Sequence, residues 1–390
     1  MNGGPASGRF LCLHCWRSLE RADAYFLCAA CDDDVERPVW MRRSGGALRR
    51  LRDVRRPWWS RLFADEGGGE GPCPRHPGAP FQLFCECGYP LSERAALRGS
   101  PLGLGIAGPR SSGKTLLVVT MMHELHGLEL AGRPLGAVGL DDTESRFHGL
   151  SAGFFDHGDK PFATAPETDE APRWDGETAP GNFAWTLTVG GARRGAPPAL
   201  VAVNDLGGET WGLAGHERRA RFDRYLGHLG SLIYLLDGSS LAADLGFAVD
   251  DAWDASPPPG DRGAAARQWF SRVAERLGRR ARRVDLALAV SKADSLWIHD
   301  DWEGLRPGGE DDDERQALLE RLLRAAQRRD VLIEARQRFR DVRLFAVSSL
   351  GFLPEGRDVD GEGHLRRPAH PSGVTEPLLW LLGKRLAAPR

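Results

Sequence analysis

The stretch "GPRSSGKT", residues 108–115, follows the small, apolar run "LGLGIAG" and leads directly into "TLLVVTMMHELHG". A short buried strand, a glycine-bracketed loop and an amphipathic helix are predicted in that order. The loop fits G-x-x-x-x-G-K-[ST] in full, and the strand–loop–helix context is the one that pattern requires. It restricts the chain to an α/β fold in which a loop wraps phosphate. Gly108 and Gly113 let the loop, with Ser111 and Ser112 between them, turn main-chain N–H groups toward an anion at the positive end of the helix. Lys114 is expected to bridge β- and γ-phosphates, and Thr115 to ligate Mg²⁺.

The lysine carries extra weight here. The chain has only four, Lys114, Lys160, Lys292 and Lys384, against 48 arginines, a bias that suggests a GC-rich bacterial genome. A lysine kept in such a chain marks a place where a compact point charge on a flexible stem does what a planar fork cannot. Two of the four fall in motifs.

Downstream, "PALVAVNDLGGET" reads as a buried strand ending at Asp205, with Gly208 after it. An acid at that strand end holds Mg²⁺, usually through water, and the glycine lets a main-chain N–H meet the γ-phosphate. "GSLIYLLDGSS" is a third buried strand. "LALAVSKAD" then delivers Ser291, Lys292 and Asp294 at the C-terminal end of a hydrophobic strand, where ligands bind in open α/β sheets. A carboxylate at Asp294 accepts from guanine N1–H and N2–H₂ together, a donor pair that adenine lacks, and the Lys292 stem fits along the base plane. "RLFAVSSLG" ends a further strand at Ser348 and Ser349, placed for a backbone contact to guanine O6.

In this order the stretches resemble the P-loop GTPases of the translation-factor-related (TRAFAC) class. "GPRSSGKT" resembles their first motif, "DLGG" their third, "SKAD" a variant of their N/T-K-x-D motif and "VSSLG" their fifth, while "VTEPLLWLLGKRL" resembles their last helix. The resemblance implies a doubly wound α/β sheet over residues 100–390, binding of GTP and Mg²⁺, and hydrolysis used as a regulatory switch. Lys114, Glu209 and a switch threonine would be the catalytic group. Thr178 stands at the usual distance before the strand "FAWTLTV", with Thr164 and Thr168 as alternatives in a segment rich in Pro, Gly and acids. Two positions depart from the family. Ser291 replaces Asn or Thr, and Glu209 stands where relatives place the Gln that orients water, which implies slow hydrolysis without a partner. More narrowly, zinc knuckles ahead of such a domain resemble bacterial double-GTPase proteins implicated in conflict systems, which implies a protein partner, with a second GTPase as one candidate.

All seven cysteines lie in the first quarter of the chain. Cys12, Cys15, Cys28 and Cys31 form C-x2-C-x12-C-x2-C, and a two-residue gap presents two thiolates to one tetrahedral ion. Cys73, His76, Cys85 and Cys87 supply a second set of four. Disulfides are the competing arrangement, but they need an oxidising compartment that no other feature suggests. Consecutive zinc sites fit better than a RING-like cross-brace, and His14, between two ligands, is expected to point outward. With four protein ligands per ion, the sites are structural. Residues 1–95 are thus expected to form a zinc-binding module and residues 100–390 the nucleotide domain.

Between the cysteine sets, "RPVWMRRSGGALRRLRDVRRPWWSRLF" interleaves arginine with tryptophan. It is either a solvated basic segment packed on the body, the reading favoured here, or a grip for nucleic acid or a membrane surface. A net charge of −2 and a pI near 6.6 oppose whole-surface attraction to polyanions. No run approaches the length of a membrane span, and no basic segment followed by an apolar stretch opens the sequence, so a cytoplasmic location is expected. Two functional classes stay open: a GTP-hydrolysing switch, or a GTP-binding adaptor that hydrolyses little and docks a partner through its zinc and Arg/Trp region.

Overall fold

Residues 9–12, 16–20, 25–28, 49–50, 81–85, 90–91, 102–109, 111–125, 128–129, 132–139, 143–159, 182–189, 199–205, 223–247, 262–307, 311–355, 358–360 and 364–387 are described by the computed structural model. The chain divides into two compact units, Met1–Pro101 with Glu170–Ala179, and Leu102–Asp169 with Pro180–Arg390.

In the first unit, β1 (Arg9–Leu11) and β2 (Ser18–Glu20) pair antiparallel. Two main-chain bonds close the turn between them: Trp16 N–H donates to the Cys12 carbonyl at 2.8 Å, and Cys12 N–H donates to the Arg17 carbonyl at 3.0 Å. A second antiparallel sheet runs in the order β4 (Arg49–Arg50), β3 (Tyr25–Cys28), β5 (Phe81–Phe84), β6 (Pro90–Leu91). Cys12 and Cys85 are buried. Among the described residues no cluster of His, Cys, Asp and Glu could hold a metal. The expected ligands Cys15, Cys31, Cys73, His76 and Cys87 lie outside the described residues, as does the side chain of Cys28.

The second unit is built on a seven-stranded sheet, ordered β13 (Asp341–Ala346), β12 (Asp285–Ser291), β11 (Leu229–Asp237), β7 (Leu102–Ala107), β10 (Ala199–Asp205), β9 (Asn182–Val189), β8 (Leu135–Gly139). The five strands from β13 to β10 are parallel, whereas β9 runs antiparallel to β10 and β8 antiparallel to β9. The expected doubly wound sheet is therefore mixed at one side. β11 and β12 are buried almost throughout, which requires cover on both faces and explains their unbroken apolar sequence.

Alternation within the strands assigns the two faces. Ile233, Leu235, Ala287 and Ala289 share a core with Leu117 and Met121 of α1 (Lys114–Glu124) and with Leu378 and Leu381 of the last helix. Tyr234, between Ile233 and Leu235, instead meets Phe270 edge-on at 5.0 Å between ring centroids. The helices in chain order after α1 are α2 (Thr143–His157), α3 (Gly238–Asp244), α4 (Arg262–Leu277), which carries Phe270, α5 (Asp294–Trp297), α6 (Asp312–Ala325), α7 (Arg329–Arg338) and α8 (Glu376–Ala387).

The expected amphipathicity of α1 is corrected. Its Leu117, Val118 and Met121 face the sheet, but Val119 packs with Phe154, Leu350, Phe352 and Leu365 in a second apolar cluster. The loop after β13 and the end of α2 cover the side that would otherwise be solvated, so α1 is apolar nearly all round.

Candidate functional site

Parallel register aligns the strand ends. Ile106 lies opposite Asp205, Ala107 opposite Tyr234, Asp237 opposite Ser291, and Val290 opposite Ala346. The loop after β7, the ends of β10 and β11, the "SKAD" turn after β12 and the "VSSLG" turn after β13 therefore leave the sheet on one edge. The chain goes from β7 to β10 on one side and returns to β11 on the other, so this edge is also the topological switch point, where open α/β sheets form their crevice.

At the loop, Gly113 has φ 80°, the left-handed region that glycine occupies without steric cost. It immediately precedes α1, and its carbonyl accepts from Leu117 N–H at 2.8 Å, the first helical bond. Ser111 also adopts positive φ, at 60°. Ser112 is fully buried and donates its hydroxyl to the Pro109 carbonyl at 2.9 Å. Lys114 is buried, and its ammonium donates to the carbonyls of Pro109 at 2.6 Å and Gly108 at 3.2 Å. The cation is folded back over the loop, where its charge faces an anion that enters. Thr115 is half-buried on the first turn of α1.

On the other side of the switch point, Ser291 is buried and donates to the Leu236 carbonyl at 3.2 Å. Its hydroxyl ties β12 to β11. Lys292 has φ 49°, uncommon outside glycine, and its Nζ lies 3.5 Å from Asp237 Oδ1. Ala293 N–H donates to the Val347 carbonyl at 3.1 Å, joining the two turns, and Asp294 is 3% exposed at the start of the one-turn helix α5.

Ser348 sits differently from expectation. Its N–H donates to the Ser372 carbonyl at 2.9 Å and its hydroxyl accepts from Gly351 N–H at 2.7 Å, so both groups brace the turn itself. A main-chain contact to a base therefore falls to the following N–H groups. The Ser349 hydroxyl lies 3.2 Å from that of Thr120 on α1.

Lys114, Thr115, Asp205, Lys292, Asp294 and Ser349 thus belong to strand ends, turns and helix starts on one sheet edge. Thr164, Thr168, Thr178, Gly208 and Glu209 lie outside the described residues, as does the side chain of Asp205. Sequence reasoning passed over Asp237. Its signal was available, since "LLDGSS" ends a buried strand on an acid as "VAVND" does.

No described helix is long and apolar enough to cross a membrane. No family model and no curated protein matches the chain. Among solved structures it is similar to the signal recognition particle receptor SRb-GTP/SRX complex from Chaetomium thermophilum, at 14% identity and a TM-score of 0.27, over 66% of this chain and 94% of that one. At that score the likeness carries no inference about function.

Proposed function

We propose that the protein binds GTP with Mg²⁺ at the C-terminal edge of its sheet and hydrolyses it slowly, as a switch that changes partner binding. One observation carries this: the register of β7, β11 and β12 puts a buried, loop-held lysine and a buried acid, Lys114 and Asp294, on the same edge, flanking the switch point. Phosphate and base need that separation of charge, cation at one end and acceptor at the other. Asp205 and Thr115 would hold Mg²⁺; Gly108, Ser111, Ser112, Gly113 and Gly208 would meet the phosphates; Lys292, Asp294 and Ser349 would frame the base, with Ser348 bracing the turn. Bound there, the ion would offset the charge of the phosphates.

Glu209 in the water-orienting position supports low intrinsic turnover, because a carboxylate beside the γ-phosphate is repelled by it. With a switch threonine, Thr178 first, it awaits a partner that completes the site. A GTP-binding adaptor in a bacterial conflict system, docking through a zinc-bearing N-terminal module, is the form such a slow enzyme would take. Competition binding of GTP against ATP tests the base reading, and single-turnover hydrolysis with and without lysate tests the enzyme reading. Equal affinity for the two nucleotides would overturn the proposal. Fast hydrolysis without a partner would overturn the slow, partner-dependent turnover and the adaptor form, and leave GTP binding standing.

A further inference from the structure

Asp237 belongs to none of the motifs, yet the base-side half of the site closes on it. Its carboxylate is 14% exposed, and its Oδ2 accepts the Ser240 hydroxyl at 2.9 Å. Oδ1 is buried and no hydrogen-bond donor among the described residues reaches it. Its counter-charge is the Lys292 ammonium at 3.5 Å, an ion-pair separation longer than a hydrogen bond. The next residue is held closely. A Cβ on Gly238 would come 2.4 Å from the Ser291 carbonyl oxygen and 2.7 Å from that of Lys292. The end of β11 is thereby pressed against the "SKAD" turn.

Lys292 itself is strained. A long, unbranched side chain at φ 49° persists only where its surroundings over-determine it. Three contacts do so: the Asp237 ion pair, the packing of Gly238 against its carbonyl, and the Ser295 hydroxyl donating to that carbonyl at 2.7 Å. Strain placed at a pocket edge and held by a fixed carboxylate orients a side chain before a ligand arrives.

We propose that Asp237 is a positioning residue for base recognition: it holds the Lys292 stem in place as one wall of the guanine pocket, with Ser240 fixing the carboxylate. The proposal rests on the GTP-binding reading and names a determinant of that same site. Asp237 acts on the base half, so its loss should weaken every guanine nucleotide equally, whatever its phosphate number. Lys114 acts on the phosphate half, so its loss should weaken GTP far more than GMP.

The experiment is calorimetric binding of GTP, GDP and GMP to wild type, Asp237→Asn, Lys292→Met and the double variant. Asp237→Asn should lose about tenfold for all three nucleotides, and almost nothing further should be lost when Lys292→Met is already present. Ser240→Ala should show the same pattern at about a third of that size, and it serves if Asp237→Asn does not fold. Wild-type affinity in Asp237→Asn would overturn the proposal, as would a loss that grows with phosphate number or adds fully to that of Lys292→Met. Failure of the underlying reading is seen separately, in wild type that does not prefer guanine to adenine nucleotides.

Discussion

The Thr120 hydroxyl of α1 lies 2.9 Å from the Leu116 carbonyl of its own helix and 3.2 Å from Ser349 Oγ, a hydroxyl–hydroxyl contact that ties the helix following the phosphate loop to the turn that follows β13. Both belong to the edge where a nucleotide would lie, one beneath its phosphates and one beside its base. Thr120 is fully buried, so this polar group has no access to water and must be satisfied within the protein.

Thr120→Val keeps the shape and removes the donor. A cost of about 1 kcal/mol in chemical denaturation is expected. Ser349→Ala should cost similarly, and the double variant less than the two together. Additive losses would show that the two hydroxyls are not coupled.

Lys114→Ala should lose most triphosphate affinity, because the ammonium that faces the phosphates is gone and its stem no longer fills the loop. Lys384→Ala is the control. Lys384 pairs with Asp341 and lies over the Trp380 ring, 5.7 Å from its centroid, at the far end of β13. Its removal should leave nucleotide binding unchanged. Calorimetric titration of GTP into both variants makes the comparison, and equal affinities in wild type and Lys114→Ala would contradict the assignment.

The β3–β5 ladder bears on the zinc expectation. Cys28 pairs with Phe81 and Tyr25 with Phe84, so Cys28 and Cys85 stand at opposite ends of the ladder. Four strand residues span about 13 Å, too far for two thiolates on one tetrahedral ion, which disfavours a cross-brace that shares them. Purified protein is expected to carry two zinc ions and no disulfide. Cys85→Ser should lose one ion and keep the other, with nucleotide binding intact. Loss of both ions together would indicate shared ligands, and metal analysis finding none would remove the proposal.

The legible parts of this chain were those where a local pattern and its context agreed. "LGLGIAG" before "GPRSSGKT" reads as strand then loop because the motif demands it, and the observed β7 and α1 follow the sequence closely. β8 was passed over: "LGAVG" is five residues with two glycines, and tertiary pairing with β9 stabilises it where propensity does not. Asp237 lies within "GSLIYLLDGSS", which reads only as a buried strand, and its place beside Lys292 depends on which strand lies next to β11. Ser348 is the converse, a residue whose motif suggested a ligand contact while its N–H is spent on Ser372 across the loop. Local patterns name the candidate residues; long-range pairing decides which of their atoms are already spent on the protein.

At the opposite end of β12, Asp285 is 1% exposed and receives both arms of the Arg340 guanidinium, Nε to Oδ1 at 2.6 Å and a second N–H to Oδ2. Arg340→Ala strands a carboxylate in the core and should destabilise by about 2–4 kcal/mol. Adding Asp285→Leu should recover part of that loss, because the uncompensated charge is gone. Unchanged stability in Arg340→Ala would show that the pair is solvated in solution.

Asp294 carries the sharpest prediction. It is 3% exposed at the start of α5, beside a lysine held at positive φ and a turn bonded to Val347. On the proposed reading its carboxylate would accept from guanine N1–H and N2–H₂ and be left unmatched by adenine. That mismatch should cost on the order of 10²-fold in affinity, since the site's polar group stays unpaired. Asp294→Asn keeps the size but turns a donor toward a donor, so it should lose GTP. The same variant should gain xanthosine triphosphate, whose O2 accepts where the guanine amine donates. Competition binding of GTP, ATP and xanthosine triphosphate to wild type and variant decides it. Wild type that binds ATP as tightly as GTP would make Asp294 a structural acid at the head of α5, with no part in choosing the base.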